Sequence, residues 1–141
     1  PADVIMETDM DYDSLAKAGS ALGSGAVMVM DDSTCMVKAS MRVSRFYFAE
    51  SCGQCTPCRE GTGWMYRIIK RIEDGQGRPE DLDLLLSAAD NIAGKTICAF
   101  GEAAAWPVQG FLRHFREEFE YHITHKRCMV GAGATGEGAA A

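Results

Sequence analysis

Apolar residues recur every three or four positions over most of the chain, which is the spacing of one helix face. Four such segments follow one another, over residues 34–51, 57–74, 79–92 and from Pro107 to Ile123. The apolar positions of the last three segments are Met65, Ile68, Ile69, Ile72, Leu82, Leu85, Leu86, Ala89, Val108, Phe111, Leu112, Phe115 and Phe119. Four amphipathic helices with short connections predict a helical bundle.

The two ends of the chain have a different pattern. Residues 4–6 and 26–30 are short apolar runs that predict strands, and residues 12–18 predict one or two helical turns. Residues 1–33 therefore predict the C-terminal end of a small α+β domain. Residues 128–141 are rich in Gly and Ala and predict a disordered tail.

The tail contains a literal G-x-G-x-x-G at residues 131–136. A dinucleotide-binding site needs a strand before this motif, a helix after it and an acidic residue about 20 positions further on. Too little of the chain follows the motif to supply these elements, so we interpret it as part of the tail.

Composition narrows the possible functions. The 141 residues are 47% hydrophobic with a net charge of −6, which fits a packed globular protein and disfavours a nucleic-acid or anionic-membrane surface. No apolar run approaches the ~20 residues of a membrane span. No signal peptide is recognisable, so the thiols are expected to stay reduced. Because the chain starts at Pro1, we expect it to be a fragment of a longer protein.

Four of the six cysteines form a metal-binding pattern. Cys52, Cys55 and Cys58 are evenly spaced, and Cys98 follows 40 residues after Cys58. Three close cysteines and a distant fourth are typical of the thiolates that hold a [4Fe–4S] cluster. Zinc sites more often use two separated C-x2-C pairs. A cluster is the favoured interpretation, while zinc and a redox or structural thiol set remain open.

The remaining cysteines and the C-terminal histidines are interpreted as structural. We expect Cys35 to pack as a small hydrophobe and Cys128 to be a spare thiol. His122 and His125 are expected at the surface near a helix C-terminus. A metal site formed by these histidines and Cys128 is the less favoured alternative.

Three segments carry a resemblance to a known family. They are SCGQCTPCREGTGWMYRIIKRI (51–72), NIAGKTICAFGEAAAWPVQGFLRHF (91–115) and ALGSGAVMVMDD (21–32). The first two closely resemble the flavoprotein, NADH-binding subunit of respiratory complex I, the bacterial NADH–quinone oxidoreductase. The third looks like the end of that family's β-grasp domain. The resemblance covers about residues 1 to 127.

The resemblance implies a fold, a site and a function. The fold is mainly α: a four-helix [4Fe–4S]-binding bundle at 34–127, preceded by the end of a β-grasp domain at 1–33. Cys52, Cys55, Cys58 and Cys98 would bind one [4Fe–4S] cluster that accepts electrons from FMN, itself reduced by NADH, and passes them towards quinone. The implied partners are the other hydrophilic subunits of the complex. The implied location is cytoplasmic, peripheral on the inner face of the bacterial plasma membrane through that complex.

The resemblance also has limits. The family's FMN- and NADH-binding domain precedes the β-grasp domain and is absent from this chain, so the chain alone is not expected to oxidise NADH. Flavoprotein subunits of NAD-dependent hydrogenases and formate dehydrogenases share the cysteine pattern and remain alternatives. A zinc-stabilised helical interaction module without a redox role is a third possibility.

Overall fold

The computed structural model of the chain describes residues 1–130. These residues form helices and loops, with no strand among them, and none of the helices is both long and apolar enough to cross a bilayer. They divide into two compact units, Pro1–Asp31 and a second unit that begins at Asp32. The helices are α1 (Ala2–Met6), α2 (Tyr12–Lys17), α3 (Met36–Glu50), α4 (Thr56–Glu73), α5 (Asp81–Ile92), α6 (Phe100–His114) and α7 (Arg116–His125). The described chain is mainly α, as predicted.

The first unit contains two short helices that bury no residue. Asp11 caps α2, because its carboxylate accepts hydrogen bonds from the backbone N–H and the hydroxyl of Ser14 at 2.8 and 2.9 Å. These hydrogen bonds hold the pKa of Asp11 below its usual value. The helical turns predicted near residue 12 are therefore confirmed.

The two strands predicted for the first unit are wrong. Residues 4–6 lie in α1, and residues 26–30 have no regular secondary structure. Val29 is 92% exposed. A strand requires a neighbour that pairs its N–H and C=O groups, and residues 1–130 contain none. An apolar run alone is therefore not sufficient to form a strand here.

Helices α3 and α4 pack against each other and are joined by the cysteine-rich loop, residues 51–55. Helix α3 begins after Cys35, whose sulfur accepts a hydrogen bond from the Lys38 N–H at 3.4 Å. Helix α4 begins one residue before the predicted Pro57 and buries the predicted Met65, Ile69 and Ile72. The sequence pattern located both helices to within two residues.

A buried ion pair fixes the connection between α4 and α5. Asp81 is fully buried, and Arg71 donates to both of its carboxylate oxygens, with Nε at 3.0 Å from Oδ2. The backbone N–H of Arg78 donates to the same Oδ2 at 2.9 Å. A buried carboxylate needs such partners to offset the loss of hydration. Helix α5 then buries Leu82 and Leu85 in the core.

The fourth predicted helix differs from the structure in two ways. It starts at Phe100, so Pro107 lies inside α6 and does not begin it. The alanines that precede Pro107 favour helix strongly enough to extend it upstream. The predicted helix is also interrupted at Phe115, where φ is −131°. This residue separates α6, which ends at His114, from α7, which begins at Arg116. The apolar residues keep the same spacing across this break because α6 and α7 both pack on one core.

Helices α3 to α6 form the predicted four-helix bundle: each packs on the next, α6 also packs on α3, and α7 contacts α3, α4 and α6. Cys128 and Val130 pack against the core, so the start of the predicted tail belongs to the folded unit. The rest of that tail, with its G-x-G-x-x-G, lies outside the described residues. The core residues include Val37, Met65, Ile69, Ile72, Leu82, Leu85, Ala89, Ile92, Ala105, Val108 and Phe119.

Candidate metal centre

Three of the four predicted ligands lie in the loop between α3 and α4 and in the first turn of α4. Cys52 is exposed, Cys55 is half-buried at the N-cap of α4, and Cys58 is buried in its first turn. Gly53 has a φ of +80°, a conformation that favours glycine, and it turns the chain between the first two cysteines. The spacing therefore places the thiols around the beginning of one helix, as predicted.

Hydrogen bonds hold the loop in this shape. The Ser51 hydroxyl lies 3.4 Å from the Cys58 sulfur and also accepts the Gly53 N–H at 3.4 Å. Arg59 donates to the Gly53 carbonyl at 2.9 Å and to the Thr56 hydroxyl at 3.4 Å. The guanidinium of Arg59 is thus held at the loop.

Cys98 lies in the connector between α5 and α6, residues 93–99, which contacts the cysteine-rich loop through Ile97. The backbone N–H of Ile97 donates to the Cys55 sulfur at 3.5 Å, which places Cys98 one residue away from a contact with the loop. The Thr96 hydroxyl donates to the Cys98 carbonyl at 2.9 Å. Cys98 itself is exposed. The structure therefore brings the distant cysteine's connector to the three-cysteine loop.

Electrostatics at the loop favour an anionic group. Helix α4 begins beside Cys55, and α6 begins two residues after Cys98. The unpaired N–H groups at a helix N-terminus carry positive partial charge and stabilise thiolates and anions. Lys95 donates instead to the Asn91 side chain at 2.9 Å, so it is engaged on α5. Two helix N-termini supply the positive potential, while the charge of Arg59 is offset by Glu60 at 3.0 Å.

The donor set fits an iron–sulfur cluster better than a single metal ion. Each thiolate of a [4Fe–4S] cluster binds a different iron, so the four sulfurs stand farther apart than the ligands of one ion. Within residues 1–130, the group compact enough to hold a single ion does not include these four cysteines. Four sulfur ligands beside helix N-termini are compatible with the thiolate set and the negative charge of a cluster.

A helical bundle with a cysteine-rich loop before one helix and a fourth cysteine before another is typical of a metal-binding helical module. This chain belongs to the family described as the NADH-ubiquinone oxidoreductase-F iron-sulfur binding region, which it matches over residues 38–122. The four cysteines of the predicted site lie inside the matched region.

Relatives and solved structures agree with this assignment. The chain is 56% identical over 119 residues to the F subunit of NADH-quinone oxidoreductase in Rickettsia felis, a match that covers 84% of this chain and 28% of the relative. It is 53% identical over 123 residues to the same protein of Rickettsia bellii, with 87% of this chain and 30% of the relative covered. The chain thus spans less than a third of these relatives.

Among solved structures, the chain resembles one of an NAD+-reducing [NiFe]-hydrogenase in the H2-reduced state. The TM-score is 0.67 and the sequence identity is 35%, over 70% of this chain and 17% of the other. A structure of the air-oxidized state gives a TM-score of 0.66 at 34% identity. The bundle fold is therefore shared with a redox enzyme of a second type.

A second group of potential ligands lies at the opposite end of α3 and α4. The sulfurs of Cys35 and Cys128 and a ring nitrogen of His122 lie within 4.8 Å of one another. His122 is fully buried, so its predicted surface position is wrong, whereas His125 is exposed as predicted. Cys128 is a free, half-buried cysteine. Cys35 lies 87 residues before His122 and carries no spacing signal, whereas His122 and Cys128 are close enough in sequence to have been considered together as a metal site. The position of His122 on the apolar face of α7 could have indicated its burial.

Contacts within this group shift its ionisation. Burial opposes ionisation of the Cys35 thiol, but hydrogen bonds from His122 and the Lys38 N–H outweigh it and lower the pKa of Cys35. Burial also opposes a charge on His122, yet contacts with Cys35 and Glu73 raise its pKa to about 10. Burial and the neighbouring Cys35 raise the pKa of Cys128 to about 11. Of the two thiols, Cys35 is therefore the one that ionises more readily.

Proposed function

We propose that this chain is the electron-transfer module of an NADH–quinone oxidoreductase and that Cys52, Cys55, Cys58 and Cys98 hold its one [4Fe–4S] cluster. The observation that carries the proposal is the hydrogen bond from the Ile97 N–H to the Cys55 sulfur. It joins the connector of the fourth cysteine to the loop of the other three. The family match and the 56% identity to the Rickettsia felis relative support the same function.

The residues around the thiols set the properties of the site. A bound cluster supplies one-electron transfer, which requires no acid, base or nucleophile. Hydrogen bonds to ligand sulfurs, burial and nearby charge tune its potential. The Ile97 N–H donates to Cys55, and the Ser51 hydroxyl lies 3.4 Å from the Cys58 sulfur. These polar contacts favour the more negative, reduced state.

The rest of the proposed function belongs to a longer protein. The chain spans 28% of its Rickettsia felis relative, so we assign the FMN and NADH sites to the remainder of the protein. NADH would reduce FMN there, and electrons would pass through this module towards quinone. Neighbouring hydrophilic subunits would hold it at the cytoplasmic face of the plasma membrane, and the chain alone would not oxidise NADH. Residues 1–33 would complete a β-grasp domain with the missing part.

Anaerobic reconstitution with iron and sulfide tests the proposal. We expect about four irons per chain, a brown protein, and an electron paramagnetic resonance signal after reduction. Replacement of any one of Cys52, Cys55, Cys58 or Cys98 by Ala should remove most of the iron. The matched Cys128→Ala variant should keep it. A colourless protein holding stoichiometric zinc at these cysteines would instead support a structural zinc module.

A second candidate function follows from the hydrogenase structures. Their 35% identity over 70% of the chain is consistent with a flavoprotein component of an NAD-dependent hydrogenase. The higher identity to the Rickettsia relatives favours the NADH–quinone oxidoreductase. Purification of the native complex separates the two, because a nickel-containing partner would support the hydrogenase and quinone reduction would support the oxidoreductase.

A further inference from the structure

The group at the far end of α3 and α4 has the composition of a transition-metal site. We propose that Cys35 Sγ, His122 Nε2 and Cys128 Sγ bind one zinc ion, with Glu73 Oε2 as the fourth ligand. Thiolate, imidazole and carboxylate are the usual ligands of Zn²⁺, and four of them close a structural site. This site is separate from the proposed cluster and does not depend on it.

The distances between ligand atoms agree with a tetrahedral ion. With bonds of ~2.3 Å to sulfur and ~2.0 Å to nitrogen or oxygen, sulfur and nitrogen lie roughly 3.5 Å apart and nitrogen and oxygen roughly 3.3 Å apart. Cys35 Sγ lies 3.6 Å from His122 Nε2, and His122 Nε2 lies 3.4 Å from Glu73 Oε2. Cys35 Sγ lies 3.9 Å from the same carboxylate oxygen. Three of the four ligands thus need little movement.

The imidazole is oriented for metal binding. His122 Nδ1 lies 2.8 Å from the backbone carbonyl of Glu118, one turn earlier on α7. The Nδ1 proton can stay donated to that carbonyl while zinc displaces the proton on Nε2, the ring nitrogen that faces Cys35 and Glu73. Ligand histidines in metal proteins are held in this way by an outer hydrogen bond to a carbonyl or carboxylate. The ring orientation is therefore already the one that zinc requires.

The helices hold the ligands before any metal arrives. Cys35 is the N-cap of α3, and the Met36 N–H donates to the Glu118 carboxylate at 3.0 Å. Glu118 therefore holds both the beginning of α3 and the ring of His122. Cys128 follows α7 after Lys126, whose φ of 55° ends that helix in a left-handed conformation. The half-buried Cys128 leaves an approach for the ion.

The proposed zinc site and the cluster loop are far apart. They lie at opposite ends of the 15-residue helix α3, which is about 22 Å long at ~1.5 Å per residue. The family match over residues 38–122 does not include Cys35 or Cys128. Zinc here would join the N-terminus of α3, the C-terminus of α4 and the segment after α7, all from the second unit.

Metal analysis of the iron-loaded full chain tests the proposal. The protein is dialysed against a zinc buffer, and zinc and iron are counted separately, so that failure of the cluster and failure of this site are distinguishable. We expect one zinc per chain in addition to the iron. X-ray absorption at the zinc edge should show two sulfur and two nitrogen or oxygen ligands, whereas zinc in the four-cysteine loop would show four sulfurs.

Two variants and a control complete the test. Cys128→Ser alters a half-buried residue near the end of the fold and should weaken zinc binding roughly 100-fold or more, since loss of even an outer partner costs 10- to 100-fold. Glu73→Gln should weaken it less and keep the two-sulfur signature. His125→Gln, an exposed histidine on the same helix, should change nothing.

Three results would overturn the proposal. The first is an iron-loaded protein that takes up no zinc. The second is zinc binding that Cys128→Ser leaves intact. The third is a thiol count under denaturing conditions that rises by two on reduction in the parent chain but not in Cys128→Ser, because it would show that Cys128 forms a disulfide instead.

Discussion

The two cysteine groups of this protein differ in how the chain assembles them. The loop group combines Cys52, Cys55 and Cys58 within seven residues and adds Cys98, and two of its four thiols are exposed. The second group combines Cys35, His122 and Cys128 from distant positions, and its histidine is fully buried. The first group is recognisable from spacing because a short loop must wrap one cofactor. The second depends on the packing of α3 against α7, so the sequence places His122 near Cys128 but gives no pattern that includes Cys35.

The difference predicts where each end derives its stability. The loop end, meaning residues 51–58 and 91–101, has few buried side chains and a single contact to a sulfur across the site. The Cys35 end, meaning residues 35–40 and 116–128, has a buried histidine and several hydrogen bonds that fix its helices. Ligand binding therefore contributes more to folding at the loop end.

Removal of the cluster is expected to give the largest difference between the loop end and the Cys35 end. On the proposed function, chelator and oxidant should make amides at 91–101 exchange on the order of 100-fold faster, since thiolates no longer hold the connector. Amides at 116–125 should change little. Hydrogen exchange by mass spectrometry on holo and apo protein measures both. Equal protection at 91–101 in the two forms would show that the loop end is stable without its cofactor.

The buried ion pair gives the next largest effect. Arg71→Met leaves the fully buried Asp81 without its charged partner and should lower the free energy of unfolding by about 3 kcal/mol. The control Arg67→Met removes an exposed charge 6.0 Å from the Phe48 ring and should cost less than ~1 kcal/mol. Urea unfolding of both variants measures the difference. If Arg71→Met cost as little as the control Arg67→Met, Asp81 would have another partner.

Alanine substitutions at two glycines of α6 distinguish a change at the loop end from a change in helix propensity alone. A Cβ on Gly101 would lie 2.7 Å from Thr96 Cγ2, so Gly101→Ala must displace the residue that bonds Cys98. We expect a cost of about 1–3 kcal/mol and a lower iron content. Gly110 has nothing within 4 Å of such a Cβ, so Gly110→Ala should stabilise by about 0.5–1 kcal/mol. Full iron loading in Gly101→Ala would contradict a role for Thr96.

The smallest change in stability is expected in the middle of α3, between the Cys35 end and the loop end. The buried hydroxyls of Ser40 and Ser44 have no hydrogen-bond partner among the described residues. Removal of an unsatisfied buried hydroxyl is neutral or favourable, so Ser44→Ala should stabilise by up to ~1 kcal/mol. Ser87→Ala, at an exposed position of α5, reports the gain in helix propensity alone. A destabilised Ser44→Ala would show that this hydroxyl has a partner after all.

Helices and core were predictable where one local signal dominates. Met65, Ile69 and Ile72 repeat at helical spacing and are buried as predicted. The strand predictions failed because residues 26–30 need a partner that residues 1–130 do not provide. Pro107 was misplaced because a favourable helix context overrides its local penalty. The cysteine loop was located from its spacing, but the contact between Ile97 and Cys55 depends on tertiary packing.

A close approach between two turns has a consequence for how this sequence can diverge. Gly75, with φ of +71°, lies after α4, and a Cβ there would come within 2.8 Å of the Lys126 carbonyl after α7. Any larger residue at position 75 would push away the segment of chain that leads to Cys128. We therefore expect the two turns to change together in evolution. Homologues that lack this glycine should also have a different C-terminal turn and no cysteine at the position of Cys128.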